Sequence, residues 1–112
     1  MKCYYALYMD EKVIPMKKEI LNKIQKDEWQ FEKYLIVLSQ NEKNHLEFYH
    51  SVLLLQKAVK KDDLFLVGIA SGYQEALDLV EKITQNVYDE TNGTDIRNYI
   101  LNKQQEYEKG SV

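Results

Sequence analysis

Cysteine is all but missing from this chain: Cys3 is the only one in 112 residues. That excludes an intramolecular disulfide and any zinc site built on several cysteines. Long apolar runs are missing too. None approaches the roughly 20 residues that a membrane-spanning helix needs, so no membrane partner is expected. Arginine is as scarce, Arg97 standing alone among 15 basic residues. A reader of base edges or phosphates usually carries several planar guanidinium forks. The net charge is −3, and the most basic stretch, 12 to 33, is interrupted by Glu19, Asp27, Glu28 and Glu32. Charge therefore speaks against nucleic acid as a partner. The opening Met1 to Met9 is too short and tyrosine-rich for a signal peptide and has no small-residue cleavage site. A cytoplasmic location is the expectation.

What the chain does have is the composition of one folded domain, with 45% hydrophobic and 29% charged residues. No linker or low-complexity segment divides residues 1–112, so a single α/β domain is expected. Tyrosine is the one excess, with nine copies.

Two segments read as buried strands, 34–38 (Tyr-Leu-Ile-Val-Leu) and 64–70 (Leu-Phe-Leu-Val-Gly-Ile-Ala). Each is a short continuous apolar run, as expected of a parallel strand covered on both faces. Asn44-His45-Leu46-Glu47 has the form of a helix cap and leads into Phe48, Tyr49, Val52, Leu53, Leu55, Ala58 and Val59. Ser71-Gly72-Tyr73-Gln74 repeats that form and leads into Tyr73, Ala76, Leu77, Val80, Ile83 and Val87. Residues 34–89 therefore read as a βαβα unit with a parallel central pair and a right-handed crossover. Tyr4 to Met9 reads as a third strand, with Val13-Ile14 as a short hairpin partner. A helix starting at Pro15 carries Met16, Ile20, Leu21 and Ile24. Asn92-Gly93 is a turn, and Thr94 caps a last helix of about 95–107 before a frayed tail at 108–112. The expected architecture is a three- or four-stranded sheet with about four helices.

The most suggestive stretch for chemistry is Gly68-Ile69-Ala70-Ser71-Gly72-Tyr73. Unpaired N–H groups where a strand runs into a helix favour a phosphate or carboxylate, and ligands gather at strand ends in open α/β sheets. Ser39 and Asn41, after the other buried strand, are expected to line the same edge. Ser39, Asn41, Ser71 and Gly72 are thus the candidate ligand-binding residues, for a small anionic ligand. The bland alternative is that Ser71 only caps the helix and Gly72 only relieves a turn, while Gly68 lets a neighbour approach closely. The spacing matches neither the dinucleotide fingerprint nor a P-loop nor a nucleophile elbow.

Glu42-x-x-His45 and Glu47-x-x-His50 have a spacing used in bundle metal sites, but one helix cannot complete such a site. Asp89 to Asp95 resembles a calcium loop only until Tyr88 and Tyr99 fall at its first and last ligand positions. Cys3 reads as a buried, inert thiol. No metal, cofactor or catalytic set is assigned. Tyr4 and Tyr8 share one strand face, with Tyr5 opposite, and Tyr88 and Tyr99 flank the Asn92-Gly93 turn; Tyr4, Tyr8, Tyr88 and Tyr99 are the candidate interface residues. The sequence favours a non-catalytic interaction or regulatory module, a homodimer or a binder of another protein. A small-anion binder is the alternative, and an enzyme without a recognisable motif the third.

Overall fold

The computed structural model describes residues 1–28, 32–39, 45–56 and 60–110. Its centre is a four-stranded mixed sheet of β1 (Lys2–Met9), β2 (Tyr34–Leu38), β3 (Leu46–His50) and β4 (Phe65–Ala70). The strands lie in the order β1-β4-β2-β3. β1 and β4 are parallel, whereas β2 runs antiparallel to both β4 and β3. Three α-helices flank the sheet: α1 (Lys17–Gln25), α2 (Tyr73–Thr91) and α3 (Ile96–Glu108).

The class is α/β as the sequence implies, but the inner topology differs. The central pair, β4 and β2, is antiparallel, so no βαβ crossover joins them. Where the sequence implies a helix after β2, the described residues form strand β3 followed by a 3-10 turn over Ser51–Leu55; Asn44, Ala58 and Val59 of that expected helix lie outside the described residues. A continuous apolar run reports that both faces of a strand are covered. It carries no information about the direction of the neighbour.

Both faces are indeed covered. On one, Ile36, Leu38 and Val67 meet Ala76, Leu79, Ile83 and Val87 of α2 and Ile96 and Ile100 of α3. On the other, Leu35, Val37, Leu66 and Ile69 meet Val13, Leu54, and Ile20 and Ile24 of α1. The buried stripe of α2 has the helical spacing 76, 79, 83, 87, while Tyr73 and Leu77 are exposed. Val13 and Ile14 form no strand. Val13 N–H and Ile14 N–H donate to Asp10 O in a turn that leads into a 3-10 turn over Ile14–Met16.

The helix ends follow capping chemistry, with shifted caps. Asn92 terminates α2 in the left-handed conformation at φ 57°. Asp95, rather than Thr94, caps α3 by accepting from Asn98 N–H at 3.2 Å.

Candidate functional site

The antiparallel run of β2 decides the fate of the candidate ligand site. Tyr34 is paired with Ala70, so Ser71 follows the end of β4 where β2 begins, and Ser39 follows β2 at the opposite end. Six strand steps, from the level of Ser71 to Ser39, separate the two turns by roughly 20 Å. The expected shared edge does not form. Asn41 lies outside the described residues. Ser39 is fully buried and donates from its Oγ to Glu47 Oε1 at 2.7 Å.

At the other end, the start of α2 meets carboxylates of its own chain. Ser71 N–H donates to Asp10 Oδ2 at 2.6 Å, and Asp10 Oδ1 accepts from Lys12 N–H at 3.0 Å. Gly72, extended at φ −159°, is the cap residue, and no side chain caps the helix there. A Cβ on Gly72 would come within 3.0 Å of Glu75 Oε1. Asp10 and Glu75 therefore bring negative charge to the place an anion would occupy, which repels a second anion. Ser71 Oγ makes no cap; it is buried with no hydrogen-bond partner.

The four tyrosines split into different roles. Tyr4 is only 4% exposed and is a core residue, so it cannot serve as a contact surface. Tyr8 stacks on it at 6.4 Å between ring centroids, and Asn86 Nδ2 donates to Tyr8 Oη at 3.3 Å. Tyr99 donates from its hydroxyl to Glu90 Oε2 at 2.5 Å. Tyr88 alone of the four is well exposed. Tyr5 is not opposite Tyr4: an irregularity in β1 brings it round to the same core, edge-on to Tyr4 at 5.0 Å.

Groups with catalytic potential are dispersed. His45 and His50 bracket β3 rather than a helix; His45 O accepts from Ser39 N–H, and His50 Nδ1 accepts from Val52 N–H at 3.1 Å. Burial pushes the Cys3 thiol up, against a smaller opposing pull from the N-terminal ammonium, which disfavours the nucleophilic thiolate. No cluster of three or more His, Cys, Asp or Glu residues able to hold a metal occurs among the described residues. No described helix is long and apolar enough to cross a membrane. An open cleft of about 500 Å³ lies along α3 and the turn before it, lined by Glu90, Asp95, Asn98, Asn102, Lys103 and Glu106 among others. Within it Glu90 is held by Tyr99 and Asp95 by its capping role.

The two sheet edges differ in a way the sequence reading did not foresee. The β1 edge is interrupted and partly covered. Four residues, Tyr4 to Leu7, stand opposite the single Val67, which breaks the ladder, and Tyr5 N–H donates to Gln104 Oε1 of α3 at 2.8 Å. Tyr107 then stacks on Tyr5 at 4.5 Å. A bulge and a covering helix are two of the devices that blunt an edge.

Among the described residues, nothing pairs with the outer edge of β3. Ser39 N–H donates to His45 O and Ser51 N–H to Lys33 O, so the hydrogen-bonded pairs across β2 and β3 are the odd-numbered ones. By antiparallel alternation, the N–H and C=O of Leu46, Phe48 and His50 point away from β2. No other described residue meets them. The signal for this strand was in the sequence. Leu46-Glu47-Phe48-Tyr49-His50 is aromatic-rich and lies across a polar stretch from another strand, which is also a hairpin pattern.

A scan of the chain against models of protein families, a search of curated proteins and a search of solved structures each returned no match.

Proposed function

We propose that this chain is a non-catalytic interaction module that self-associates as a homodimer through the β3 edge. The observation that carries the reading is the asymmetry of the sheet: β1 is bulged and held by α3 at Tyr5, while among the described residues β3 presents three outward-facing residues. An unpaired strand edge is a template for another strand. The bulge in β1 and the α3 contact at Tyr5 disfavour strand addition on that side, so pairing is expected to stop at two copies. The carboxylate already seated on Ser71 N–H weighs against an anion-binding role at the start of α2. A lone free cysteine fits a reducing compartment, the cytoplasm.

Size-exclusion chromatography with light scattering tests the reading. A five-residue strand edge is a small contact, so the series should run from about 1 μM to about 1 mM. A mass rising with concentration toward twice the 13.3 kDa chain is the expected result. A constant monomer mass across the series overturns it.

A further inference from the structure

We infer that the partner strand is β3 of a second copy, paired antiparallel about a two-fold axis through Phe48; this rests on the self-association reading above. The register follows from which backbone groups face outward. Only even-numbered residues of β3 offer N–H and C=O to a newcomer, so intermolecular hydrogen-bonded pairs must join even residues. Centring on Phe48 pairs Phe48 with its own copy and Leu46 with His50 of the second copy. All three outward-facing residues then bond in each chain, six hydrogen bonds in total.

Other registers do worse. Centring on Glu47 places two carboxylates directly opposite each other, which is destabilising, and leaves His50 N–H and C=O without a strand partner. Centring on Tyr49 leaves those of Leu46 without one. In the Phe48 register, by contrast, Glu47 of each copy stands opposite Tyr49 of the other. The Tyr49 hydroxyl is buried with no hydrogen-bond partner. A carboxylate across the pair is an acceptor of the kind that hydroxyl lacks.

His50 supplies a variant that separates edge pairing from folding. Its backbone already has φ −67° and ψ 140°, which proline adopts without strain, and its N–H faces away from β2. His50→Pro is therefore expected to keep the far-ultraviolet spectrum and a cooperative melt while weakening dimerisation more than ten-fold. A variant that folds and dimerises as well as the parent overturns the inference.

Disulfide trapping in a Cys3→Ser background reads the register. The double variant Leu46→Cys/His50→Cys keeps Phe48 and is expected to cross-link as a dimer, because 46 and 50 of opposite copies face each other within bonding distance. Either single variant places its two sulfurs roughly 13 Å apart and is expected to cross-link at least ten-fold more slowly. Faster trapping by a single variant than by the pair overturns the register while leaving self-association standing. A dimer by light scattering with no trapping in any variant moves the interface away from β3; it overturns the inference and the β3 edge as the contact, and leaves self-association standing. A strict monomer removes both.

Discussion

Gly68 sits where β4 shifts register against both of its neighbours. Tyr8 is paired with Gly68 and Cys3 with Leu66, and on the other side Ile36 is paired with Gly68 and Val37 with Leu66. Against β2 Val67 is the extra residue, whereas against β1 the extra residues are those of β1, Tyr4 to Leu7 standing opposite Val67 alone. A Cβ on Gly68 would stand 3.0 Å from Tyr8 O and 3.3 Å from Ile36 Cδ1. The first obstacle is backbone, so it yields little. Gly68→Ala is expected to cost about 1–3 kcal/mol by overpacking, read as a lower urea midpoint with an unchanged slope. A neutral result would mean that the bulge relaxes freely. The glycine's role as a place of close approach was legible from its position inside an apolar run. Which strand approaches was not, because nothing local to Gly68 specifies Tyr8.

At the scale of elements, Asp10 ties the end of β1 to the start of α2 through Ser71 N–H and holds its own turn through Lys12 N–H. Asp10→Ala removes both acceptors and is expected to destabilise the fold by about 1–2 kcal/mol. Hydrogen exchange at Ser71 should quicken with it. Unchanged exchange there would show that water replaces the carboxylate at no cost. The β2–β3 hairpin shows why an element can be misread. Glu47 sits three places after Asn44, as in a capping box, and the apolar positions from Phe48 to Leu55 allow helical spacing. What overrides the helix is tertiary: Phe48 and Leu46 pack on one core and Tyr49 on the other, which requires two-residue alternation. A strand that feeds two cores at once satisfies more burial than a helix that could feed only one.

At the scale of the whole molecule, packing also fixes how the protein meets high pH. Burial, with the Glu47 charge beside it, pushes the Tyr49 hydroxyl up to about 12. Tyr4 is raised still further, first by burial and then by its tyrosine neighbours; Tyr99 is raised by burial and by its bond to Glu90. An unfolded tyrosine ionises near pH 10. The folded state therefore holds these protons more tightly, and its stability is intact below about pH 10 and falls as pH rises through 12. Tyrosinate absorbance from these residues should appear together with loss of the circular-dichroism signal. Its full appearance with the fold intact would contradict this account. The sequence by itself determined the α/β class, the two fully buried strands and the stripes of α2 and α3, because burial pattern and capping are local and periodic. Packing of distant segments decided that β2 runs against β4, which separates Ser39 from Ser71, that Tyr4 is core, and that α3 holds β1 at Tyr5 while no described residue pairs with the outer edge of β3. Strand direction and edge exposure depend on which distant segments meet, and that information is carried by no single stretch of the chain.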